Sequence, residues 1–274
     1  MLESLLALVA GLLIGSFLNV CIYRMPRDLS VVRPRSFCPA CEHPIAWYDN
    51  VPVLSYFLLR RRCRHCGAPI PVRYLIVELL TAALFFLIVT ALGLTAVAAK
   101  LCLLTALLVG LTFADLEERI LPDEFTLGGT AVGLVLAYFV PVDDVIAHVV
   151  LPGFGFQLSP RWLSVAESAL GAAAPAGALW LGGFLFEKIR HKEGLGLGDV
   201  KMMAMFGAFL GLRATLLTLV VGSIAGSLIG LVYIRATKQD AATYQLPFGT
   251  FLGFAGIFVA LVGEKVIRWY VGML

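Results

Sequence analysis

Residues 1–27 read MLESLLALVAGLLIGSFLNVCIYRMPR. Up to Cys21 the run is apolar apart from Glu3, Ser4, Ser16 and Asn19, and Arg24 and Arg27 follow it. About 20 apolar residues wound as a helix cross roughly 30 Å of hydrocarbon, so 2–22 is expected to span a membrane. Its basic residues follow the apolar run, whereas a secretory signal places them before it. A retained first span with its N-terminus outside is therefore expected.

The rest of the chain repeats the pattern. Of its 274 residues 60% are hydrophobic and 14% charged, with mean hydropathy +0.92. A soluble domain is about a quarter charged, and one core of this size could not hide so much apolar surface. A soluble protein is thereby excluded. The formal net charge of +3 says little, because in a membrane protein the placement of Lys and Arg matters more than their sum. The expected fold is an all-α polytopic membrane protein of about eight spans, at 2–22, 74–93, 97–115, 124–140, 164–187, 200–212, 214–234 and 247–271. Gly222, Gly226 and Gly230 lie at GxxxG spacing, which suits close helix packing. The loop 141–163, with Pro141, Pro152, Gly153, Gly155 and Pro160, is expected to be irregular and exposed.

Basic residues set the orientation. Nine arginines against three acids occupy 23–73, and Arg119, Lys188, Arg190, Lys192, Lys201, Arg235 and Lys238 fall on the same side of an eight-span chain. Lys100, Arg161, Arg213, Lys265 and Arg268 fall on the other, with the loop acids Asp143 and Asp144. The positive-inside rule makes the first group cytoplasmic. The chain then divides into a first span (1–22), a cytoplasmic insert (23–73) and a membrane domain (74–274), with no internal repeat evident in the sequence.

Two CxxC pairs stand in the insert, Cys38-Pro-Ala-Cys41 and Cys63-Arg-His-Cys66. A CxxC turn aims two thiolates at one point, and two such turns complete a tetrahedral four-cysteine zinc site. Disulfides are disfavoured on a cytoplasmic face, and no redox βαβ pattern surrounds either pair. Four thiolates leave no open position, so a structural zinc is expected. His43 and His65 are read as surface residues, Cys21 and Cys102 as small buried hydrophobes.

Acids at the edge of an apolar span are functional candidates. Asp115 ends the third span, and a solvated charge is its alternative role. Asp199 follows Gly194-Leu195-Gly196-Leu197-Gly198 and opens the next apolar run, where helix capping is the alternative. Gly196 and Gly198 can let the backbone approach a neighbour closely. Lys201 can hold a substrate carboxylate or serve as an interfacial charge. Asp123 is expected to cap the fourth span. Two aspartates at one membrane face can work as an acid/base pair, one taking a proton from water while the other polarises a scissile carbonyl.

The sequence resembles the type IV prepilin peptidase family in GSFLNVCIYRMP (15–26), the two CxxC pairs, DNVPVLSYFLLR (49–60), VEL (77–79), DLEERILPDEFTL (115–127), GLGLGDVKMMA (194–204) and PFGTFLG (247–253). The resemblance implies a GxGD-type aspartyl peptidase of the bacterial inner membrane, with Asp115 and Asp199 catalytic and Gly196, Gly198, Lys201 and Asp123 supporting. It implies prepilin or pseudopilin substrates with a basic leader and a hydrophobic N-terminal helix, cut at the cytoplasmic face. It further implies N-methylation of the new N-terminus from S-adenosylmethionine, associated with the insert, with donor-binding residues unassigned. The bilayer is the other expected partner, and no nucleic acid is expected. A peptidase for other membrane-anchored substrates, or a scaffold or transporter with a zinc-clipped docking module, is the alternative.

Overall fold

The computed structural model describes residues 1–142, 146–153, 155, 158–191, 196–237 and 246–272. Among the expectations above, Asp143, Asp144, Lys192, Gly194, Leu195 and Lys238 lie outside the described residues. The described residues form α-helices and short 3-10 turns with two isolated β-bridges and no strand. The helices are α1 (Leu2–Arg24), α2 (Leu54–Leu58), α3 (Val72–Leu92), α4 (Ala96–Glu118), α5 (Asp123–Phe139), α6 (Ile146–Gly153), α7 (Pro160–Arg190), α8 (Leu197–Thr237) and α9 (Phe248–Val271). Only helices and closed barrels satisfy their backbone hydrogen bonds in hydrocarbon, which agrees with the apolar composition.

Six helices are each long and apolar enough to cross a membrane, beside about eight expected spans: those at Leu2–Arg27, Val72–Leu92, Ala96–Glu118, Pro160–Arg190, Leu197–Thr237 and Phe248–Tyr270. Two features account for the difference. Helix α5 has 17 residues, about 26 Å of rise, less than the hydrocarbon thickness. The expected spans 200–212 and 214–234 both lie in α8, which is two helices meeting at a kink where Gly211 adopts φ 79° and ψ 179°, and α8 counts once among the six. Left unbroken it would measure about 60 Å, twice the hydrocarbon thickness, so the glycine supplies the turn that an L-residue would resist.

The chain forms two compact units, Met1–Ala114 and Asp115–Leu274. In the first, α1 and α3 cross closely. A Cβ on Gly11 would lie 2.6 Å from the Ala82 Cα, and one on Gly15 2.7 Å from the Glu78 Cα. Asn19 Nδ2 ties the crossing by donating to the Tyr74 carbonyl at 3.0 Å.

In the second unit α8 packs on α7 and α9. A Cβ on Gly207 would land on the backbone of Gly171, so the α7–α8 crossing is backbone on backbone. Gly222, Gly226 and Gly230 face Leu252, Phe251 and Leu246, the close packing that their spacing suggests. The 141–163 stretch is less irregular than expected. Its α6 is apolar and tethered, with the Ala147 N–H donating to the buried Glu167 Oε1 at 2.7 Å.

The insert holds an internal repeat that composition alone conceals. Residues 36–45 (SFCPACEHPI) and 61–70 (RRCRHCGAPI) fold alike at an offset of 25. Cys38 N–H donates to His43 O and Glu42 N–H to Cys38 O; Cys63 N–H donates to Ala68 O and Gly67 N–H to Cys63 O. The bridges Phe37–Pro44 and Arg62–Pro69 correspond. So do Glu42 and Gly67, which share a left-handed conformation at φ 57° and φ 69°.

Candidate active site and metal centre

The two cysteine turns converge. The Sγ atoms of Cys38, Cys41, Cys63 and Cys66 all lie within 4.8 Å of one another, and Cys38 and Cys66 are 3.9 Å apart. A tetrahedron with Zn–S near 2.3 Å has edges of about 3.8 Å, so the donor set fits zinc. Its electrostatics ask for a cation. Cys63 is pulled down to about 7 by the N–H groups of Cys66 and His65. Cys41 has a His43 N–H that favours its thiolate, but desolvation and hydrogen bonds with the other three thiols push it up to about 12. Four crowded thiols cannot all ionise without a positive charge among them.

His43 and His65 are both exposed and lie beside each other, with ring centroids 3.5 Å apart and the planes tilted by 37°. The link between the turns is braced by a two-pronged pair, Arg64 Nε and Nη2 to the Asp49 carboxylate at 2.7 and 2.6 Å. That guanidinium holds the Asp49 carboxyl below the usual carboxylate range. Cys21 and Cys102 are buried, as small hydrophobes would be.

The aspartates occupy opposite kinds of helix end. Asp115 lies in the last turn of α4, where Arg119 N–H closes on its carbonyl at 2.9 Å and Arg119 leaves the helix at φ 55°. Asp199 lies in the first turn of α8, which starts at Leu197, three residues earlier than it would if Asp199 were its cap. Both are buried, at 6% and 9% exposure, and the Asp115 carboxyl is within Coulombic range of Asp199. Two acidic side chains 84 positions apart are thus electrostatic neighbours at one edge of the helices.

The two carboxyl groups differ in their surroundings. Asp115 Oδ2 accepts from the Thr250 backbone N–H at 2.6 Å and from its hydroxyl at 2.8 Å. Thr250 stands in the first turn of α9, whose unpaired N–H groups suit a carboxylate. Asp199 accepts no hydrogen bond on its carboxylate from the described residues, and its backbone N–H donates to Gly196 O at 3.1 Å. One carboxyl is clamped and the other is left open.

Gly249 and Gly198 share a task. A Cβ on Gly249 would come within 3.1 Å of the Asp115 Cγ and 3.0 Å of the Leu121 side chain, and one on Gly198 within 3.1 Å of Leu121. Leu121, in the connection after α4, therefore packs against the starts of both α8 and α9. At Gly196 a Cβ would only reach van der Waals distance from Asp199 Oδ2, at 3.5 Å. Its place in the pattern is not explained by close approach.

Two expectations are revised. Asp123 is the first residue of α5, not its cap; the cap position is Pro122, and no side-chain cap bond forms. Its carboxylate instead holds Lys201 Nζ at 2.7 and 2.9 Å. Lys201 therefore already has a carboxylate partner within the chain. Thr250 escapes sequence reasoning, because nothing in PFGTFLG singles out the hydroxyl. The usable signal is a Gly-Thr pair at an expected helix start, the position for binding an anion.

Residues 9–92 match the family model described as Bacterial Peptidase A24 N-terminal domain, and residues 102–231 match that of the Type IV leader peptidase family. A protein of Myxococcus xanthus named prepilin leader peptidase/N-methyltransferase is 40% identical over 84% of this chain, which spans only 63% of that relative's length. Proteins of the same name are 35% identical in Aeromonas hydrophila, over 97% of this chain and 92% of theirs, and 33% identical in Pseudomonas putida, over 95% and 91%. No solved structure gives a significant match.

Proposed function

Because the chain belongs to the type IV leader peptidase family, we propose that it is an aspartyl endopeptidase that removes prepilin leaders with Asp115 and Asp199, and that it then methylates the new N-terminus. Leader cleavage and methyl transfer rest on the names of its relatives. The aspartate pair rests on one observation: two buried carboxyls in Coulombic range, one clamped by Thr250 and one open.

The chemistry needs both. One carboxylate takes a proton from water as its oxygen bonds to the scissile carbonyl carbon, while the other carboxyl, protonated, donates to the carbonyl oxygen. The tetrahedral intermediate collapses with C–N cleavage, and the proton passes to the leaving amine. Asp115, held by two donors that favour its ionised form, suits the base that takes the proton from water, and Asp199, which accepts none among the described residues, suits the acid that donates to the carbonyl oxygen. At a helix edge water is at hand; in mid-bilayer it would not be.

The substrate is a single apolar helix behind a basic leader, and it presents its cleavage point where the apolar helices end. The chain is a multi-pass membrane protein. Taken with eight crossings, α5 and both halves of α8 included, the excess of basic residues on one set of connections supports a cytoplasmic active site and an inner-membrane location. The four-cysteine cluster holds a structural zinc that clips the insert, which has too little apolar surface to fold without one. S-adenosylmethionine supplies the methyl group when bound. The chain's part would be to hold the new N-terminal amine in its neutral form beside that donor.

The test is cleavage of a detergent-solubilised prepilin by wild type, Asp115→Asn and Asp199→Asn, with folding and zinc content checked. Both variants should lose cutting while keeping zinc and the methylation of pre-cut substrate. Full cutting by either removes that residue from the mechanism.

A further inference from the structure

In the Met1–Ala114 unit a cavity of about 370 Å³ opens between the second half of α1 and residues 31–52 of the insert. That volume falls within the range of about 300–1,000 Å³ typical of small-molecule sites. Phe17, Val20 and Trp47 give it apolar and aromatic walls, and Arg24, Arg35 and Asn50 give it polar ones.

Arg24 is the feature without a structural explanation. Its side chain is only 3% exposed. Nη1 donates to the Ser30 and Pro34 carbonyls, both at 2.9 Å, and Nη2 to the Arg35 carbonyl at 3.1 Å, with the Phe37 ring 5.3 Å away. Those partners orient the guanidinium but bring it no negative charge. Nε–H and the second Nη2–H, the two donors that together match a carboxylate, have no acceptor among the described residues. A buried cation is normally paired with an anion, and this one borders an open cavity.

We propose that this cavity is the methyl-donor site, with the amino-acid carboxylate of S-adenosylmethionine on Arg24 and its adenine against Trp47. The assignment rests on the methyl-transfer part of the proposed function. It also gives the zinc a purpose beyond the insert itself. Cys38 follows Phe37, and the 30–36 segment carries the carbonyls that aim Arg24. The clip at Cys38 therefore fixes one wall of the cavity.

The probe is S-adenosylhomocysteine, titrated calorimetrically into wild type, Arg24→Gln and Trp47→Ala reconstituted in neutral-lipid nanodiscs. Zinc content and thermal melting report on folding. Trp47 is 74% exposed, so its replacement spares the fold even if loss of Arg24 loosens the insert. Each variant should bind at least tenfold more weakly than wild type. If the folded Trp47→Ala protein binds as wild type does, the assignment is overturned. If wild type cuts prepilin but neither binds S-adenosylhomocysteine nor methylates, methyl transfer itself fails, a different result from binding that ignores the cavity.

Discussion

Replacing Thr250 by Val deletes the hydroxyl's hydrogen bond to the Asp115 carboxylate. The Oγ1 contact at 2.8 Å goes, and the backbone N–H at 2.6 Å stays. Thr250 is 5% exposed, so water cannot easily replace the lost donor. A hydrogen bond to a charged group contributes about 1.5–3 kcal/mol. If its low end is realised in the transition state, where the orientation of Asp115 counts, kcat falls about tenfold. Peptide binding does not use the hydroxyl, so KM should stay within about twofold. Thr250→Ser, which keeps the hydroxyl on a smaller side chain, should recover most of the rate. The assay is steady-state cleavage of a solubilised prepilin by the three proteins, matched for thermal stability. A valine variant with wild-type kcat would show that the hydroxyl does not position Asp115. A serine variant as slow as valine would show that the loss comes from packing.

Other perturbations separate site from scaffold. Gly249→Ala drives a Cβ toward the Asp115 Cγ and Leu121, 3.1 and 3.0 Å away, and should lower kcat at least tenfold by displacing the carboxyl, read in the same cleavage assay. Gly207→Ala puts a methyl into the Gly171 backbone and should destabilise the protein by about 1–3 kcal/mol. Gly182→Ala meets nothing within 4 Å and should be neutral or slightly stabilising; melting in detergent compares the two. Purified protein should carry one zinc per chain and Cys63→Ser none, with methyl transfer falling further than cleavage, as metal analysis and the two activity assays will show. Asp123→Asn loosens the half-exposed pair with Lys201 and should change stability by under about 1 kcal/mol, measured by the same melting.

The chemistry-bearing residues are legible because each has a local signature. The CxxC pairs announce their own turn, and an aspartate at the end of an apolar run is conspicuous in a chain with so few charges. Geometry that depends on contacts far apart in sequence is not legible. Thr250 and Asp115 are 135 residues apart, and nothing local marks their bond. Span lengths are hard to read for a related reason. A helix apolar on all faces has no amphipathic stripe to mark its ends, so the shortness of α5 cannot be read from periodicity, whereas the break at Gly211 falls close to the boundary expected between 200–212 and 214–234. The 25-residue repeat of the insert escapes because backbone hydrogen bonds carry it. Only four of ten residues match between SFCPACEHPI and RRCRHCGAPI.

The arrangement of the aspartates follows from where helices leave their polar groups unpaired. The C-terminal turn of α4 exposes carbonyls that disfavour an anion, and the first turn of α8 exposes N–H groups that favour one. Left alone, Asp115 would be the worse-placed of the two. The first turn of α9 corrects that by bringing the Thr250 N–H and hydroxyl to it. Its cost in freedom is a fixed carboxylate, which suits the base of the proposed mechanism. Asp199 lies in the first turn of α8 and accepts no donor on its carboxyl among the described residues, so in the proposed mechanism it is the group left to carry the proton. In the proposed mechanism the division of labour between two chemically identical side chains thus comes from three helix ends brought to one edge, with Gly198 and Gly249 making room for the Leu121 side chain that packs among them.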